Sequence, residues 1–104
     1  MKNRINGIRL FMFFILMLTM GASMAGDPTK GRGLYATRCA GCHGPNGLPT
    51  MIEIPNCTIG QGLMKSDQEI MNFVKKGKGV MPGFEGVITD DEILDVIAHI
   101  RTLF

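Results

Sequence analysis

The sequence predicts a small all-α bundle of three main helices, and three observations carry that prediction. Two capping boxes, Ser66-Asp67-Gln68-Glu69 and Thr89-Asp90-Asp91-Glu92, each open a run whose apolar residues recur at helical spacing. Asp27-Pro28 supplies a third helix start, with Asp27 as N-cap and Pro28 at the first helical position, where its missing N–H costs nothing. No stretch alternates apolar and polar residues with period two for long enough to argue a sheet.

Residues 1–25 read as an export signal. Lys2, Arg4 and Arg9 supply positive charge, the stretch from Leu10 to Met20 is apolar apart from Thr19, and Ser23-Met24-Ala25 places small residues where a signal peptidase cuts. The charge-free stretch from Leu10 to Ala25 falls short of the roughly 20 residues a spanning helix needs, so cleavage is favoured over an uncleaved anchor. The mature chain is then expected to be one domain, 26–104. Three of the 11 Lys and Arg precede it, leaving 8 against 9 Asp and Glu, so nucleic-acid binding has no electrostatic support. A domain this small has little core of its own and calls for a staple.

The first mature helix should run from Pro28 to about Arg38, with Leu34 and Tyr35 facing the core. Gly31 and Gly33 each weaken it by about 1 kcal/mol relative to Ala, and a close helix crossing is the usual reason for such a cost. Next comes Cys39-Ala40-Gly41-Cys42-His43. At C-x-x-C-H spacing, each thiol can add across one vinyl group of a haem, and the following histidine is placed to reach the iron. A redox dithiol and half of a zinc site also use C-x-x-C. The first expects a βαβ pattern and the second another ligand pair, whereas only Cys57 and His99 remain, far apart in the chain.

From Gly44 to Lys65 the density of Gly, Pro and Asn leaves no room for a long element, and a loop of that length needs a surface to pack on. Pro55 offers a carbonyl that can accept the free N–H of the His43 ring, or it simply stiffens the loop. The next helix runs to Lys76, with Ile70, Phe73 and Val74 on its apolar face, Lys75 and Lys76 complementing the negative end of the dipole, and Gly77 stopping it. Gly79-Val80-Met81-Pro82-Gly83-Phe84 follows. Met81, stiffened by Pro82, is the preferred sixth iron ligand because a soft thioether favours the ferrous state. Met51, Met64 and Met71 are alternatives, separated from it only by position and by the adjoining proline. In the last helix Ile93, Val96, Ile97, Ile100 and Phe104 line one face and His99 lies on its flank, a place that suits helix packing better than iron ligation.

The order of helix, C-x-x-C-H-G, proline-bearing loop, helix, Met-Pro loop and terminal helix resembles the class I cytochrome c family over essentially the whole mature chain. The matches are Gly31-x-x-Leu34-Tyr35-x-x-x-Cys39-x-x-Cys42-His43-Gly44, Pro55-Asn56, Lys78 to Phe84 and Ile97 to Arg101. The resemblance implies a cytochrome c-like bundle wrapped around one covalently bound haem c. Cys39 and Cys42 would carry the thioethers, His43 and Met81 would be the axial ligands, and Pro55 would be the partner of His43. Tyr35 completes the expected cofactor-binding set, and Gly31 would mark the crossing of the first and last helices. His99 stands where the family usually has an aromatic residue, so it is expected to pack at that crossing. Cys57 stands where an apolar residue is usual, and reads as a small buried hydrophobe ahead of a redox or intermolecular thiol.

The function expected is periplasmic one-electron transfer between a redox protein donor and acceptor, without catalysis because both axial positions are filled. A haem-bearing subunit of a dehydrogenase or oxidase complex is the alternative, and an exposed apolar patch or dimerisation through Cys57 would favour it. A gas sensor or peroxidase-like enzyme would require Met81 to be displaceable. Lys75, Lys76 and Lys78 either rim a docking site for an acidic partner or serve their own helix end.

Overall fold

The structure, a computed structural model, describes residues 1–17 and 25–104, so Ser23 and Met24 of the expected cleavage site lie outside the described residues. Helix α1 spans Lys2–Met17, and among the described residues no helix is long and apolar enough to cross a membrane. The rest of the chain is built from α2 (Pro28–Arg38), the single turn α3 (Ala40–His43), α4 (Asp67–Lys76) and α5 (Asp90–Ile100), with no strand among the described residues. A 3₁₀ turn, Cys57–Ile59, is the one regular piece of the long loop.

Each main helix starts as its sequence dictates. The Asp27 carboxylate accepts from Thr29 N and Lys30 N, and both capping boxes close with their side chains and backbone satisfied reciprocally. Helix α2 lies across α5, and Gly31 makes the approach possible: a Cβ there would overlap the carbonyl oxygen of Asp95. Gly33, two residues on, faces open space, so the crossing accounts for one interior glycine and not the other. The Asp27 N–H donates to the Asp95 carboxylate at 2.7 Å, tying the start of α2 to the same turn of α5.

The core gathers Cys57, Leu63, Ile70, Met71, Ile93 and Ile97, with Val74, Ile88, Leu94, Ile100 and Leu103 packed around them. Two expectations about its faces are corrected. Ile70, Met71 and Val74 turn toward the core and Phe73 lies on the flank, 41% exposed, because the buried arc of α4 is centred between Ile70 and Met71. Phe104 lies beyond the last helix, which stops at Ile100, where Arg101 N donates back to Ile97 O; its ring instead covers Gly60 in the long loop. Arg101 adds a tie that sequence reading did not anticipate. Its guanidinium donates to Leu63 O at 2.6 Å, Lys65 O at 2.9 Å and the Asp67 carboxylate at 2.7 Å, closing the end of the long loop against the end of α5.

Candidate functional site

The chain enters the C-x-x-C-H segment straight from α2. Cys39 N still donates to Tyr35 O at 2.9 Å, and its φ of −122° then breaks the helix so that α3 starts on a new axis. His43 N donates to Cys39 O at 2.9 Å and Cys42 N to the same oxygen at 3.3 Å. Both cysteines and the histidine therefore belong to one turn. The thiols are free, Cys39 half-buried and Cys42 exposed, and burial pushes the Cys39 thiol up to about 11. It is held as the neutral thiol at neutral pH. Burial also holds the half-buried His43 imidazole below the ordinary histidine range, keeping a nitrogen lone pair available.

Behind this turn the backbone is pinned. Tyr35, 2% exposed, donates its hydroxyl to Gly44 O at 2.6 Å, and its ring packs on His99 with centroids 5.1 Å apart and planes tilted by 57°. Burial pushes the Tyr35 hydroxyl up to about 12, so it stays a donor throughout the working pH range. What Tyr35 touches is the end of the motif and the helix crossing. His99 is committed to that crossing, as expected of it. Thr50 reaches the motif from the long loop, donating to Cys42 O through N at 3.2 Å and through Oγ1 at 3.0 Å. A lone threonine among glycines and prolines gave no signal of this role.

The Met81 loop is fixed separately. Lys78 and Met81 exchange backbone bonds of 3.1 and 3.0 Å, and the chain then folds back so that Phe84 N and Glu85 N donate to the last carbonyls of α4, those of Val74 and Lys75. Gly77, at φ 71°, permits the fold, since a Cβ there would stand 2.6 Å from both Met81 O and Gly83 N. Met81 is half-buried, whereas Met51 and Met64 are exposed and Met71 is core. No hydrogen bond joins this loop to the motif, nor the Pro55 carbonyl to the His43 ring, and Pro55 is exposed. Lys75 pairs with Asp90 at 3.0 Å and so serves the α4–α5 junction, leaving Lys76 and Lys78 exposed. Cys57 is buried in the core and burial raises its thiol, which agrees with its reading as a small hydrophobe.

These residues fit a haem. The motif turn brings two free thiols and a half-buried imidazole onto one backbone bond network, and among the described residues no group of three or more His, Cys, Asp or Glu comes together. The loops that follow the motif also hold large apolar side chains out of the protein core: Leu48, Ile52, Ile59, Met64 and Val80 are each more than half exposed. A broad apolar group attached at Cys39 and Cys42 would give such side chains something to cover.

Comparison with known proteins bears on the same residues. The family described as cytochrome c oxidase, cbb3-type, subunit III matches residues 26–100. Cytochrome c6 of Thermosynechococcus vestitus is 30% identical over 102 residues, covering 96% of this chain and 91% of that protein. Cytochrome c6 of Rippkaea orientalis is 31% identical over 93 residues, covering 88% and 83%, and that of Parathermosynechococcus lividus 33% over 76 residues, covering 71% and 87%. No solved structure matches the chain.

Proposed function

Because the chain belongs to the class I c-type cytochrome family, which carries electrons on one covalently bound haem c, we propose that it is an exported one-electron carrier whose haem is tied to Cys39 and Cys42 and held between His43 and Met81. The observation that carries this reading is the turn from Cys39 to His43, with two free thiols and a half-buried imidazole on one backbone bond network. Bound haem supplies a couple between ferric and ferrous iron. The protein residues do the rest. Cys39 and Cys42 hold the group in place, His43 presents a neutral imidazole, and the doubly fastened Met81 loop presents a thioether without having to be ordered at each electron transfer. With His43 and Met81 both holding the haem iron, no site would be left for a substrate, so catalysis is not expected.

Export is supported by the charged and apolar N-terminal segment and by a family match that begins at residue 26, where the mature chain is expected to start. The periplasm is the compartment this implies, and a redox protein donor and acceptor are the partners. One observation favours the second reading, a haem-bearing subunit of a larger oxidoreductase complex, since the matching family is described as an oxidase subunit. Size measured in mild detergent extracts separates the two. A carrier migrates as a small free protein, and a subunit with its complex.

The decisive test is a haem stain after denaturing electrophoresis of the periplasmic fraction. A stained band is expected from the wild-type chain and none from the Cys39→Ser/Cys42→Ser double variant; a wild-type chain without a band overturns the reading. For the distal ligand, the weak near-infrared charge-transfer band of an iron–thioether bond should vanish in Met81→Ala, and its persistence would remove Met81 from the site.

A further inference from the structure

The C-terminal end of α3 leaves the carbonyls of Cys42, His43 and Gly44 without partners inside a helix of four residues. Two hydroxyls from other parts of the chain take up this end. Thr50 donates twice to Cys42 O, at 3.2 Å from its N–H and 3.0 Å from Oγ1, and Tyr35 Oη donates at 2.6 Å to Gly44 O, which also accepts from Gly47 N at 3.2 Å, with His43 O 3.4 Å from the same hydroxyl. The two clamps thus fall on either side of His43.

We propose that Thr50 is a positioning residue for the iron ligand His43, its hydroxyl fixing the peptide plane that leads into His43 while Tyr35 fixes the backbone that leaves it. This rests on the reading of His43 as an axial ligand. The Cys42 carbonyl shares a rigid plane with the His43 N–H, so holding that oxygen holds one side of the His43 Cα and limits the directions its ring can take. The same bonds offset the partial negative charge that gathers at a helix C-terminus. Without the hydroxyl, Cys42 O would be more negative beside the iron ligand, which favours the ferric state. Thr50 is exposed, so its hydroxyl contributes little to folding. Its effect should therefore appear in ligand orientation and potential, where a merely structural residue would show none.

The test uses the full-length protein matured with covalent haem, comparing wild type, Thr50→Val and Thr50→Ser. Val keeps the shape and the backbone N–H and removes only the hydroxyl; Ser restores it. In Thr50→Val the paramagnetically shifted haem methyl resonances of the oxidised protein, which report imidazole orientation, should move. The reduction equilibrium should shift about threefold toward ferric, or about 28 mV at 59 mV per tenfold for one electron. Thr50→Ser should return both to wild-type values. Methyl shifts and potential unchanged in Val, or an effect that Ser does not reverse, overturn the proposal. Should Thr50→Val fail to mature, Tyr35→Phe removes the hydroxyl on the other side and leaves only the Gly47 N–H on Gly44 O, and unmoved methyl shifts there overturn the clamp equally. A wild-type chain whose haem iron lacks an imidazole ligand instead overturns the reading of His43, and is seen before any variant is made.

Discussion

The two sides of this small domain are built on different terms. At the α2–α5 crossing the polypeptide is complete in itself: Gly31 lets backbone meet backbone, Asp27 bonds Asp95, and Tyr35 packs on His99 with its hydroxyl satisfied. Across the loops that follow the motif, the backbone is equally well tied, yet Ile52, Ile59, Met64 and Val80 stand in solvent. The difference shows which half of the fold the chain specifies alone and which half it leaves to a group it must acquire. A domain of this size has little stability to spare, so the second half decides whether the first is populated.

The sharpest way to break this comparison is to withhold the haem. The Cys39→Ser/Cys42→Ser chain is expected to lose the domain's whole stability, on the order of 5 kcal/mol or more, and to show no cooperative thermal transition by far-UV circular dichroism. A cooperative melt in that variant would mean that the crossing alone sustains the fold. Next in size is Gly31→Ala, whose Cβ meets the Asp95 carbonyl rather than a side chain that could move aside. About 3 kcal/mol or more should be lost in urea denaturation of the haem protein. Gly33→Ala is the internal control, since nothing lies within 4 Å of its Cβ, and it should gain up to about 1 kcal/mol from helix propensity alone. Opposite signs two residues apart would locate the strain at the crossing.

On the loop side, Arg101→Leu removes the donors to Leu63 O, Lys65 O and Asp67 while keeping the apolar stem. A loss of about 2 kcal/mol is expected in the same urea measurement, because these are charge-assisted bonds and Leu63 O is partly buried. Were the loss nil, the haem would be holding the loop without help from α5.

Legibility in the sequence divides along the same line. Helix starts were plain because capping boxes and Asp-Pro are local chemistry, and the motif was plain because its spacing is fixed by one turn of backbone. The two interior glycines pointed to a helix crossing, and family resemblance alone singled out Gly31, since nothing in composition distinguishes it from Gly33. Phe73 and Phe104 were misplaced because a helical period gives an apolar arc without saying where the arc is centred or where the last turn ends. Arg101 and Thr50 were not legible at all: each acts on backbone carbonyls remote in sequence, and a carbonyl carries no mark of residue type. Met81 stood out by its adjoining proline, and the structure adds the physical reason its loop holds, the bonds from Phe84 and Glu85 to the end of α4.

The smallest effect tests whether the crossing is as self-sufficient as it looks. His99 is half-buried against Tyr35, and burial together with the nearby Arg32 guanidinium lowers its pKa below the ordinary value near 6.5. The unfolded chain therefore takes up this proton before the folded one does. The stability it contributes is full above about pH 7 and declines as pH falls through 6.5 toward the folded-state pKa. In the haem protein the midpoint of thermal unfolding should thus fall from pH 7 to pH 5 by more in wild type than in His99→Phe, which keeps a ring on Tyr35 and has no proton to gain. With His43 as the iron ligand proposed above, its own titration is the same in both proteins and cancels in the difference. Equal slopes would mean that the His99 ring is solvated enough to charge freely, and that the aromatic packing at the crossing closes less completely than the backbone contact at Gly31.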